Sequence, residues 1–273
     1  MQRPFQPTSG LSLHLPTAKS LVAWVGIGSL ATIEVRDGHN GDNRARLNHR
    51  LLMLQMGILQ RIPKPLQMQI YCEVAATYLP ELVDLWRQST DGYSSVIELM
   101  NAVSTSPYFV RFMRSEAAVG LVYHHAHLVA TNFTKLSTMT MDEIASTAQL
   151  LWTLLVLQAE GIDEVADADK NILVARMPEW VRKYPGRSMS EVAERCIGIL
   201  TKQPAMVFLA KSVGGMLIEP FSKCGAPGCY NTTRADGTDL LQCGRCKSAL
   251  YCDVAHQLAA WPKHKSVCFA VAF

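Results

Sequence analysis

The sequence predicts a mainly α protein: a multi-helix body followed by a small, cysteine-rich C-terminal module. Three observations predict it. Aliphatic residues recur at helical spacing from 46 to 219. No alternating strand pattern with hairpin turns interrupts that series. After Glu219-Pro220 the composition shifts to Gly, Cys, Lys and short loops, and six of the eight cysteines lie beyond residue 223. With 273 residues, 49% hydrophobic and 18% charged, the chain has ample apolar material for a core.

Residues 1–45 read as an irregular N-terminal segment, either a partial element of a larger domain or a frayed start. The longest uncharged apolar run, 20–33, has 14 residues and contains Gly26 and Gly28. A membrane-spanning helix needs roughly 20, so no membrane association is expected. Pro4, Pro7 and Pro16, with no compact charged start, also fit a secretory leader poorly. A turn-rich stretch, 37–43, then leads into the body.

The body, 46–219, is justified helix by helix. Leu47, Leu51, Leu54, Ile58 and Ile62 set the first helix, and Pro63 and Pro65 stop it. A second covers 66–78, and Pro80 opens a third running through Trp86. A short amphipathic piece covers 96–103, and Pro107 precedes a longer helix over 108–130. Residues 142–160 carry Ile144, Leu151, Leu154 and Leu155, with Gly161 after their end. A helix over 172–184 contains Pro178, where a break or kink is expected. Helices over 189–200 and 205–217 complete the set. Such helices must pack on one another. Stacked antiparallel pairs of the HEAT or armadillo kind are one such arrangement, although no repeat of fixed period is present.

The tail, 220–273, carries the chemistry. Its donors run Cys224-x4-Cys229, Cys243-x2-Cys246, Cys252-x3-His256 and His264-x3-Cys268. Eight thiolate or imidazole donors suit two tetrahedral Zn²⁺ ions. A three-residue spacer lets two donors meet across one helical turn, so Cys252/His256 and His264/Cys268 are expected to be helical pairs, each completed by a loop pair. A secreted disulfide scaffold would spread its cysteines, so the cluster points to metal in a reducing compartment. That places the protein inside the cell, in cytoplasm or nucleus. Cys72 and Cys196 stand apart in apolar surroundings and read as inert core thiols.

The tail resembles the MYND finger family. The matching features are Cys224/Cys229, Cys243/Cys246, Tyr251-Cys252, His256-Gln257, Trp261 with His264, and the closing Cys268. Two features depart from the family pattern: the first spacer is four residues where two is usual, and His256 stands where Cys is commoner. A RING-type finger would close on a Cys-x2-Cys pair, whereas this tail closes on Cys268 alone. The resemblance implies interleaved sites, with Cys224, Cys229, Cys252 and His256 on one zinc and Cys243, Cys246, His264 and Cys268 on the other. It also implies a protein-interaction module, not an enzyme, that binds proline-rich segments beside Gln257 and Trp261. A finger after a helical body is an arrangement frequent in fungal proteins.

Other classes fit less well. Some MYND proteins are SET-domain lysine methyltransferases, but the helical series does not look like a β-rich SET fold. DNA binding, as in a transcriptional regulator, is disfavoured by charge. The net +3 lies entirely in the tail, and two Zn²⁺ with six thiolates would lower it to about +1. His124 and His127 read as exposed imidazoles on a half-buried helix. Asp167, Asp169 and Asn171 read as an acidic helix start, since Ile172 and Pro178 stand where a calcium loop needs Gly and Glu. The triplets at Asn132 and Asn231 match a glycosylation signal that means nothing in a reducing compartment. No phosphate loop, nucleophile elbow or His-Glu-x-x-His is present.

Overall fold

The computed structural model describes residues 15–28, 41–158 and 165–273. They form α1 (Ala18–Ala23), α2 (Gly41–Leu59), α3 (Lys64–Arg87), α4 (Ser95–Val103), α5 (Pro107–Phe112), α6 (Leu121–Thr131) and α7 (Phe133–Leu136). These are followed by α8 (Met141–Leu157), α9 (Asp167–Lys183), α10 (Ser188–Leu200), α11 (Pro204–Ile218), a two-strand hairpin of β1 (Leu241–Gln242) and β2 (Leu250–Tyr251), and α12 (Val254–His264). The protein is therefore mainly α with a small C-terminal finger, and no described helix is long and apolar enough to cross a membrane.

Side-chain chemistry sets the helix starts. Thr140 and Glu143 form a capping box at α8, and Ser94, Ser106 and Asp253 cap α4, α5 and α12. Burial sets the packing. In α8, Ile144, Ala148, Leu150, Leu151, Trp152, Leu154 and Leu155 are all buried, so the helix is apolar around its circumference and must lie inside. It packs against α4, α6, α10 and α11. α8 is thus one hub of the packing. A second hub, α3, packs against α1, α4 and α5.

Several expected boundaries move. α3 runs unbroken through Pro80, where the sequence predicts two helices. The proline lacks the N–H that would bond the Ala76 carbonyl. That carbonyl instead accepts the Ala272 N–H at 3.0 Å, so the finger's last residues repair the gap. α9 likewise continues through Pro178. The long helix expected over 108–130 is divided into α5, a 3₁₀ turn at Glu116–Ala118 and α6. Gly120 makes that division, at φ 77°, a left-handed conformation that favours glycine. Within the segment left unassigned by sequence, Ala18–Ala23 is a buried helix with a Thr17/Ser20 capping box, and α2 begins at Gly41. Residues 1–14 and 29–40 of that segment and the predicted helix end over 159–160 lie outside the described residues.

The imidazoles of α6 are not simply exposed. His124 Nε2 donates to the Trp86 carbonyl at 2.9 Å, and His127 Nδ1 lies 3.0 Å from Asp169 at the start of α9. His125 is fully buried and donates from Nε2 to the Thr147 carbonyl at 3.0 Å. Burial pushes its pKa down to about 4, only partly offset by that bond. The unfolded chain therefore binds an extra proton between pH 6.5 and 4. Stability is lost as pH falls through this window, by about 3 kcal/mol for a shift of that size. His125→Phe should flatten the acid limb of the unfolding free energy by about 2 kcal/mol between pH 6.5 and 4.5, measured by urea titration at those two pH values.

Candidate metal centre

The finger is built by three short elements. An antiparallel pairing of Leu241 with Tyr251 and Gln242 with Leu250 forms the hairpin, and a bridge between Cys224 and Leu250 adds the entry strand beside it. The knuckle at Cys243–Cys246 closes with the Lys247 N–H on the Cys243 carbonyl at 3.0 Å. This turn holds Lys247 at φ 55°. α12 then crosses the hairpin.

These elements converge the eight donors on two points. Cys224, Cys229, Cys252 and His256 have their donor atoms all within 4.8 Å of one another, as do Cys243, Cys246, His264 and Cys268. The donor separations match a zinc tetrahedron. Zn–S bonds of 2.3 Å and Zn–N bonds near 2.0 Å put two sulfurs about 3.8 Å apart and a sulfur–nitrogen pair about 3.6 Å apart. Cys229 and Cys252 lie 3.7 Å apart, and Cys243 and Cys268 also 3.7 Å. Cys224 lies 3.3 Å from His256 Nδ1, and Cys246 lies 3.6 Å from His264 Nε2. A disulfide needs about 2.05 Å, so neither sulfur pair is one.

Ionisation supports the same reading. Burial opposes the Cys224 thiolate, but N–H groups of Ala226 and Cys252 and the side chains of His256 and Cys229 outweigh it and bring the thiol down to about 7. Burial and the neighbouring Cys229 push Cys252 up to about 11, and burial with Cys246 and Cys243 pushes Cys268 up to about 12. In each cluster one thiol, Cys224 or Cys243, is lowered while another, Cys252 or Cys268, is raised. A central divalent cation removes that mutual repulsion.

One expectation needs correction. Only His256 and His264 lie in α12. Cys252 precedes the Asp253 cap, and Cys268 lies in extended backbone at φ −92° and ψ 97°, beyond a 3₁₀ turn at Lys265–Val267. A four-residue separation can be closed by a helix cap as well as by a full turn, because the cap already curves the chain onto the helix axis.

The interleaved pairs thus clamp both ends of α12, His256 near its start and His264 at its end. Residues 222–268 match the family model of the MYND finger. The C-terminal segment is a MYND finger. Over 56 aligned residues the chain is 39% identical to Egl nine homolog 1 of Mus musculus, an alignment covering 17% of this chain and 14% of that protein. No solved structure matches the chain. Two zinc ions fit the two Cys3His clusters of the MYND finger. With four protein donors each, these sites are closed and structural, and the finger is a protein-interaction module without a catalytic position of its own.

On the outer face of the MYND finger, Val254, Leu258 and Trp261 are exposed, at 64%, 66% and 40%. Their spacing puts them on one side of α12. Gln257 lies beside them, half-buried, and Trp261 meets His264 edge-on with centroids 5.9 Å apart. Ala260 is buried against the finger. Sequence reading picked out Gln257 and Trp261 but missed Val254 and Leu258. Their i, i+4, i+7 relation to Trp261 was the available signal.

Proposed function

We propose that the protein recruits partner proteins by seating short proline-rich segments on the exposed face of α12, with Trp261 and Gln257 beside the segment. The observation that carries this reading is the uncovered stripe of Val254, Leu258 and Trp261 on a helix fixed at both ends by metal ligands. Apolar side chains left in water on a rigid support favour an apolar partner. A proline-rich segment is already extended and loses little entropy on docking. Gln257, with a polar amide beside the stripe, suits a backbone group of such a segment. The thiol-based centre suits a reducing intracellular compartment, cytoplasmic or nuclear.

The test is titration of fluorescein-labelled proline-rich decapeptides against zinc-loaded wild type and Trp261→Ala. Trp261→Ala should weaken binding at least tenfold, as expected for an aromatic hot spot, with zinc content still two per chain. Unchanged affinity, or loss of zinc from the variant, would assign Trp261 to packing alone.

A further inference from the structure

The finger and the body enclose a crevice lined by none of the α12 stripe residues. It has a volume of about 330 Å³ and lies between α5 and the finger's hairpin. Arg111, Arg114 and Lys247 line it together with Val110, Phe221 and Leu250, and none of the described residues lining it is acidic. Arg111 spans the joint, donating from Nη1 to the Lys247 carbonyl at 2.8 Å. Its Nε is buried without a hydrogen-bond partner. Arg114 and Lys247 are exposed. Neither side chain enters an ion pair or hydrogen bond among the described residues.

From this juxtaposition we propose that the crevice binds an acidic peptide segment of a partner protein. The occupant follows from the lining. Three converging cations with no acidic counterpart select negative charge. The apolar wall of Val110, Phe221 and Leu250 suits aliphatic side chains next to the carboxylates, which a free inorganic anion lacks. The volume is at the small end for a ligand site and accommodates a few side chains. The crevice is preformed, because Arg111 locks the knuckle and the finger's last residues lock onto α3. This proposal rests on the reading that the chain recruits protein segments, but it uses a different surface: neither Gln257 nor Trp261 lines the crevice.

The test uses the zinc-loaded full chain and a fluorescein-labelled octapeptide of alternating Glu and Leu, with the Gln-for-Glu peptide as control. Wild type should bind the Glu peptide at least tenfold more tightly than the Gln peptide, and more weakly as salt rises. Arg114→Glu combined with Lys247→Asn should lose that preference, since asparagine tolerates the left-handed backbone at position 247. Arg245→Glu, on an exposed cation that does not line the crevice, should keep it. Equal binding of the two peptides, equal damage by Arg245→Glu, displacement by millimolar inorganic phosphate, or zinc loss from the double variant would each overturn the proposal. Zinc loss in particular would mean that these cations serve the adjacent thiolate cluster. Proline-rich peptide binding, measured in parallel on Trp261→Ala, separates the two surfaces: either can fail while the other holds.

Discussion

Removing zinc is expected to unfold the finger and leave most of the helical body standing. Residues 222–268 contain two strands of two residues each and one 11-residue helix. A segment of that size cannot bury enough apolar surface alone. An isolated helix of 11 residues is marginal in water. What remains is metal ligation, worth about 10–16 kcal/mol per structural site in comparable peptides. Because the ligand pairs interleave, both sites hold α12, and the loss of one should weaken the other. Cys252→Ser should therefore drop the zinc content from two per chain toward zero, not to one, as read by a colorimetric metal assay. Circular dichroism on chelation should show loss of helix of the order of α12 while the body's signal persists. A chelated protein with an unchanged spectrum would show that the clusters are not structural.

Legibility in the sequence followed the range of the forces involved. The eight donors were readable because tetrahedral coordination ties them to short spacings, and the two clusters in space are those the resemblance to the MYND finger implied. The body was legible as helices because burial of Ile144, Leu151 and Leu154 imposes a short-range period. Where helices stop was less legible. Pro80 marks a break by local rules, and the compensating partner of Ala76 is Ala272, nearly 200 residues away. No window on the sequence contains both groups. Gly120 was an available signal for dividing the 108–130 stretch, but a glycine's φ is fixed only by the surrounding packing. The burial of His125 was hidden for the same reason, because its partner Thr147 belongs to another helix. The basic crevice has the same character, since Arg114 and Lys247 meet only when the finger is docked.

That docking leads to the second large effect. Replacing Phe269, Val271 and Phe273 together with alanine should uncouple the finger from the body without disturbing either zinc site. The tail leaves Cys268 in extended backbone, and its three large apolar residues alternate with Ala270 and Ala272, which are exposed. Such alternation turns every second side chain to one surface. Phe269, Val271 and Phe273 pack on the body's core, and Phe273 meets Phe112 of α5 edge-on at 5.0 Å. Tyr108, also of α5, ties the same segment by hydrogen bonds: its hydroxyl donates to the Val267 carbonyl and accepts the Phe269 N–H, both at 2.7 Å. The three side chains are half-buried, so each contributes on the order of 1 kcal/mol of apolar burial, and the loss of all three costs about 3 kcal/mol. For a chain of this size that corresponds to a fall of roughly 6–12 °C in the body's melting temperature. The variant should keep two zinc ions, because none of the three is a ligand. It should also become cleavable by protease near 219–222, where the body passes into the finger, since the apolar seat of the tail is then gone and the hydrogen bonds of Arg111, Tyr108 and Ala272 are left to hold the two together. Tyr108→Phe isolates the polar part of the joint, removing the hydroxyl while retaining the ring, and should lower the melting temperature by a few degrees at most. A triple variant that melts with wild type would place the strength of the joint elsewhere. If it instead lost zinc, the tail would be part of the second metal site's support and not a tether between two separately stable units.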